Sequence, residues 1–195
     1  MKKLIAATMA ALLLLVFAGC SQVEAPMPEP PTISDAEIEA KLQNAWEAMA
    51  WFRLSSMPVE WELEPHAVSE DGMYYWIVIH EAIGSMADLE AHLRSIFVED
   101  IVTYLLFDQR LYRDFDGVLH SSPGDRGGRV DVGNENREII RVSANEIIYR
   151  VHLDILEWDA DAMEWTGEIY EVEIHDFHLI YADGLWLFKN FHLWW

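Results

Sequence analysis

Ile147, Tyr149, Val151, Leu153 and Ile155 occupy every second position of one stretch, with Arg150, His152 and Asp154 between them. A two-residue apolar period describes an extended strand that buries one face and wets the other. Such half-buried strands belong to antiparallel sheets, so partners must lie nearby in the chain. The C-terminal half supplies them. Asp116-Gly117 is a hairpin turn signal between Leu111-Tyr112 and Val118-Leu119. Tyr170, Val172 and Ile174 alternate too, but the apolar phase then moves to Phe177, Leu179 and Tyr181. A one-residue phase change predicts a β-bulge near His175-Asp176. Asp183-Gly184 then turns the chain into a last aromatic strand, Leu185 to Trp195.

The N-terminal half has the helical period instead. Ser34-Asp35-Ala36-Glu37 reads as a capping box, followed by Ile38, Leu42, Ala45, Met49 and Phe52 on one stripe. This predicts a helix from Asp35 to about Leu54, ended before Pro58. Ser85-Met86-Ala87-Asp88 is a second capping signal, opening a helix with Leu89, Leu93 and Ile96 on one face. A third short helix is expected over Glu99 to Phe107. Met73 to His80, rich in aromatic and β-branched residues, predicts a buried strand. Helices first and strands later give an α+β class: one domain, residues 34–195, with N-terminal helices on a curved, mostly antiparallel sheet. Trp186, Phe188 and Phe191 are expected to pack against Leu42, Met49 and Phe52.

Residues 1–33 stand outside that domain. Lys2 and Lys3 precede an apolar run from Leu4 to Phe17, and Ala18-Gly19 lead into Cys20. So short a run, so flanked, reads as a secretion signal over residues 1–19 rather than a membrane-spanning helix. Val16-Phe17-Ala18-Gly19-Cys20 resembles the lipobox of bacterial lipoproteins, with Phe17 where leucine is usual. The resemblance implies cleavage before Cys20, lipidation of Cys20 and anchorage at the extracytoplasmic face of the cell membrane. Residues 20–33 hold Pro26, Pro28, Pro30 and Pro31 and read as an extended tether, whose thirteen residues after Cys20 reach about 40 Å.

Composition closes several classes of function. The only cysteine is Cys20, so no internal disulfide and no cysteine-rich zinc site is available. A formal charge of −21, moving to −23 once Lys2 and Lys3 are removed, argues against nucleic acid as a partner. His175-x-x-His178 invites a metal reading, but residues three apart on a strand face opposite ways, so the pair could share an ion only through the bulge predicted there. His66, His80, His92, His120, His152 and His192 show no ligand spacing. No serine sits in a Gly-x-Ser-x-Gly turn, and with 34 acids, pairs such as Glu99-Asp100 identify no catalytic couple. These residues suggest no metal, no cofactor and no catalytic set.

The stretch Ser121, Ser122, Pro123, Gly124, Asp125, Arg126, Gly127, Gly128 has no apolar residue except proline and reads as a loop. It lacks the following helix of a phosphate cradle, since Arg129-Val130-Asp131-Val132 reads as strand. A flexible polar loop on a β scaffold is a common binding element, and the alternative is a plain long hairpin connection. The field of so acidic a domain favours a cationic protein partner and repels anionic wall polymers and headgroups. A basic wall enzyme fits that description; solubility alone is the competing reason for the charge.

The order of motifs adds a resemblance. Leu93-Arg94-Ser95-Ile96-Phe97-Val98-Glu99-Asp100 is followed by Leu111-Tyr112, Phe115-Asp116-Gly117-Val118-Leu119 and Gly124-Asp125-Arg126-Gly127-Gly128. Asp183-Gly184-Leu185-Trp186-Leu187-Phe188 and Phe191 stand near the end. Over Met73 to Trp195 this succession resembles the IseA-type inhibitors of peptidoglycan DL-endopeptidases. The resemblance implies a secreted, acidic, monomeric, non-enzymatic domain that binds basic NlpC-type cysteine peptidases. It implies too that a loop matching His120 to Arg129 here blocks the active-site cleft, and within that loop Asp125 is expected to form the electrostatic tip. Two rival classes remain: a small-ligand cone like that of nuclear transport factor relatives, lined by Trp186 and Phe188, and an enzyme with acids or histidines converging in a cleft.

Overall fold

The computed structural model describes residues 30–61, 64–107, 111–124 and 127–194. Helix α1 spans Asp35–Arg53. Its cap is reciprocal: Glu37 N donates to Ser34 Oγ at 3.3 Å, and Ser34 N donates to the Glu37 carboxylate at 2.8 Å. Two orphan amides are thereby satisfied at the point where the chain leaves its proline-rich approach. The stripe Ile38, Leu42, Ala45, Met49 and Phe52 is buried throughout. Helix α2, Met86–Arg94, is opened by a full capping box between Ser85 and Asp88. Leu89 and Leu93 face the core, as does Ile96 just beyond the helix end. Helix α3 covers Glu99–Phe107 and buries Val102 and Leu105.

The strands form two four-stranded antiparallel sheets. The smaller contains β1 (Ala67–Val68), β2 (Tyr74–Ile77), β3 (Tyr112–Phe115) and β4 (Val118–Ser121), in the order β1-β2-β4-β3. Asp116 and Gly117, with φ of 55° and 82°, make the two-residue turn between β3 and β4. Both central residues are left-handed there, as the twist of a tight hairpin requires. The strand expected over Met73 to His80 is shorter, Tyr74–Ile77, and is not buried as a whole: Trp76 and Val78 meet the main core and Tyr75 is buried against Phe115, whereas Tyr74 and Ile79 are exposed.

The larger sheet is a plain meander of β5 (Val132–Ser143), β6 (Glu146–Asp159), β7 (Glu164–Ala182) and β8 (Leu185–Phe188). Ile147, Tyr149, Val151, Leu153 and Ile155 of β6 all point into the core. The expected bulge near His175-Asp176 is absent. Pairing between β6 and β7 runs unbroken from Glu146↔Ile180 to Ile155↔Glu171, and the irregularity falls beyond it, where Leu156 pairs with Ile169 and Tyr170 becomes the extra residue. The apolar phase changes for another reason. Phe177 and Leu179 face the core, while Tyr170, Val172 and Ile174 lie on the opposite face in solvent. The last aromatic segment is also only partly strand. After Phe188 it crosses the inner face of the sheet, stacking Phe191 and Trp194 on Phe177 at 4.8 and 5.2 Å.

Helices and both sheets share one apolar core, so the α+β, single-domain expectation holds, with two antiparallel sheets in place of one. Trp186, Phe188 and Phe191 are buried in the same cluster as Leu42, Met49 and Phe52. The link between α2 and α3 is pinned to β8 by Val98 N donating to Phe188 O and Phe188 N donating to Ile96 O. Among the described residues no helix is long and apolar enough to cross a membrane.

Candidate functional site

The stretch Ser121–Gly128 does two different things. Ser121 ends β4, paired on one side with Trp76 and on the other with Tyr112, and is fully buried. Ser122 is buried as well, and its N–H donates to Leu111 O at 2.9 Å. These two serines therefore belong to the sheet and not to an exposed loop. An apolar-free sequence concealed this, because a small hydroxyl side chain can be buried on a sheet face while the ladder satisfies its backbone. Pro123 is half-buried, and Gly124, Gly127 and Gly128 are exposed. Asp125 and Arg126 lie outside the described residues.

The segment is not a hairpin connection. β4 belongs to the small sheet and β5 to the large one, so this is the crossover between them. Gly127, at φ 68°, lies on the wall of an open groove of about 480 Å³ bounded by Arg53, Tyr104 and Phe191. Arg53 donates to the Tyr104 hydroxyl and lies over the ring of that residue, 5.0 Å from its centroid. Past the glycines, Arg129 fastens the chain down. Its guanidinium bonds both oxygens of Asp131 at 2.9 and 2.7 Å and reaches Glu173 on β7 at 2.8 Å. Hydrogen bonds from Arg129 hold both carboxyls below their usual range.

The histidines form pairs that no spacing rule exposes. His175 Nδ1 lies 2.8 Å from His192 Nε2, and His175 Nε2 is 3.1 Å from Glu173. His80 and His92 flank the Trp51 ring at 5.6 and 5.4 Å, and His66 meets His120 edge to face at 6.0 Å. Burial first, then the neighbouring histidine, lowers the pKa of both His92 and His192. His178 faces away from His175 and meets Glu146 at 2.9 Å, as strand geometry dictates. Among the described residues no three His, Cys, Asp or Glu side chains are grouped to hold a metal ion.

Two further grooves border Trp186. One, of about 350 Å³, lies beside Pro30, Pro31 and Arg141. The other, of about 280 Å³, lies between Lys41 and Asn44 of α1, the α2–α3 link and β8. Trp186 lines both grooves and Phe188 the second, although both side chains are buried in the core.

Arg94, Arg129, Arg137, Arg141 and Arg150 are each held in ion pairs with acids of the same domain. From Val151 to Phe188, a span containing all of β7, there are ten acids and no lysine or arginine. Comparison with known proteins finds no family model that matches the chain and no curated protein similar enough to count as a relative.

Proposed function

We propose that this chain is an acidic, non-enzymatic binding protein, lipid-anchored through Cys20 at the extracytoplasmic face of the membrane, whose partner is a basic cell-wall hydrolase. The observation that carries the reading is the charge distribution. Five arginines are held in internal ion pairs, and the span from Val151 to Phe188 carries ten acids with no lysine or arginine, so the net outward field of the large sheet is negative. Such a field speeds association with a cationic surface and opposes nucleic acid, wall polymer and headgroup alike. The motif order that resembles the IseA-type inhibitors narrows the partner to an NlpC-type DL-endopeptidase. Pro123, Gly124, Gly127 and Gly128 of the crossover, with Asp125 and Arg126 between them, are the segment this reading places in the peptidase cleft.

Because the crossover joins two sheets, replacing it whole by a tight turn would pull them apart, so point variants are the proper test. The inhibition constant of the purified chain against an NlpC-type DL-endopeptidase domain is measured at low and physiological salt. Association is expected to slow steeply as the screening length shortens to about 8 Å at 0.15 M. Asp125→Ala should weaken inhibition by about 1–3 kcal/mol, the worth of a hydrogen bond to a charged group. Arg126→Ala should leave it equal or slightly stronger. A wild-type chain without inhibition, or a rate indifferent to salt, removes the reading.

A further inference from the structure

Strand β7 is paired on both sides over only part of its length. β6 accompanies it from Glu164 to Ile180, but β8 meets only Leu179, Ile180, Tyr181 and Ala182. Among the described residues no strand pairs with the remaining edge, from Glu164 to Ile174. The groups that line this edge follow from its last occupied positions. Lys189 N donates to His178 O at 2.8 Å, His178 N donates to Asn190 Oδ1 at 2.6 Å, and Asn190 Nδ2 donates to Asp176 O at 2.7 Å. Even-numbered residues therefore turn their backbone groups away from β6. The register with β6 stays unbroken down to Glu171, so Ile174 and Val172 do the same, with N–H and C=O directed to the open side.

Exposed edges of this kind are normally blunted by charges, lysine above all, by proline, by β-bulges or by a covering segment, and here the bulge at Tyr170 and the glutamates blunt the edge only in part. Glu164 to His178 contains neither proline nor lysine. Instead it carries an apolar row in solvent, Tyr170, Val172 and Ile174 being 73%, 47% and 56% exposed. Residues of these types favour strand pairing. Exposed Glu164, Glu168 and Glu171 stand among them. A second copy of the chain would set acids against acids across the new ladder, and like charges directly opposite destabilise a strand pair. The complementary occupant is an extended segment of a basic protein, with lysine or arginine alternating with apolar residues.

We infer that the free edge of β7 between Glu168 and Ile174 is a docking strand, which such a segment joins as an added antiparallel or parallel strand. Backbone hydrogen bonds to Val172 and Ile174 give the addition its register, and the flanking glutamates select a basic sequence. The inference rests on the partner being a basic protein, as proposed above, and places the contact on the sheet edge in addition to the crossover.

Two probes test it by titration calorimetry: a short peptide alternating lysine and valine, and the same peptide N-methylated at every second backbone nitrogen. Charge and side chains are common to both, so only ladder formation separates them. The wild-type chain is expected to bind the methylated peptide roughly tenfold more weakly, as expected for losing a pair of net hydrogen bonds. Val172→Pro removes an edge N–H without touching the β6 ladder, and proline is tolerated at such positions. It should bring the unmethylated peptide down to the level of the methylated one, while Val172→Thr keeps the difference. Far-UV circular dichroism checks the fold of the proline variant, and if that fold is lost the two peptides on wild-type protein still decide. Equal binding of both peptides, or binding of neither, overturns the docking strand. Unchanged affinity of Val172→Pro for an NlpC-type endopeptidase domain also overturns it, leaving the basic partner intact. Peptide discrimination by a chain that does not bind the endopeptidase keeps the edge and rejects that partner.

Discussion

Tyr112 shows how much one side chain holds. Its hydroxyl donates to Trp51 O at 3.0 Å, near the end of α1, and accepts from Met57 N at 2.9 Å, while its ring meets Phe52 at 5.1 Å. Helix, following turn and small sheet are joined at one atom, and burial pushes the phenol pKa far up, so the proton it donates is secure. Tyr112→Phe strands two buried backbone groups, and each such loss costs about 1–3 kcal/mol. Urea unfolding should show a lower midpoint with the m-value unchanged; a variant as stable as wild type would mean that water or a neighbour replaces the hydroxyl. The bidentate Arg150–Asp176 pair makes a useful contrast, since both side chains are about one-third exposed and exposed pairs add little to stability. Neither the role of Tyr112 nor the pairing of His175 with His192 was legible in the sequence. Their partners lie 55, 61 and 17 residues away, and no local pattern encodes contacts at that range.

Elements were more legible than contacts, in proportion to how local their determinants are. The first two helices follow from caps and stripes contained in their own residues, Ser34 with Glu37 and Ser85 with Asp88. β6 follows from its alternation, because the core covers its inner face along most of its length. β7 misled because its outer row is apolar without being covered, and apolar character alone does not say which face is wet. Beyond the core, β6 and β7 continue as a two-stranded arm in which Trp158 and Trp165 pair directly, their ring centroids 4.8 Å apart and edge to face. Such a pair is worth about 0.5–1.5 kcal/mol beyond its area, and here it acts on the arm alone. Trp165→Ala should abolish the coupled indole signal in circular dichroism while leaving the main thermal transition nearly in place. A large fall in Tm would make the arm part of the cooperative core.

At the scale of the molecule, the class was legible and the division into two sheets was not. Ser121–Arg129 reads as a connection whatever it connects, and the Arg129–Glu173 bond that fixes its far end spans 44 residues. Net charge has a consequence for stability as well as for partners. With −21 charges on a chain of 195 residues, self-repulsion opposes the compact state. Raising ionic strength from about 0.01 M to 0.15 M cuts the screening length from about 30 to 8 Å, so the chain should gain stability. Each kcal/mol gained should raise Tm by roughly 2–4 °C, readable by scanning calorimetry. A falling Tm would mean that the ion pairs outweigh the repulsion. The same sheet also sets a length. Trp186 Nε1 donates to Pro31 O at 3.4 Å, so the chain enters the domain beside β8, where Trp186 pairs with Tyr181. From Tyr181 to Glu164 the strand runs about 55 Å along its contour. Were the chain anchored through its N-terminal segment, as proposed, it would be held at one corner, with its acidic edge at the far end of that strand.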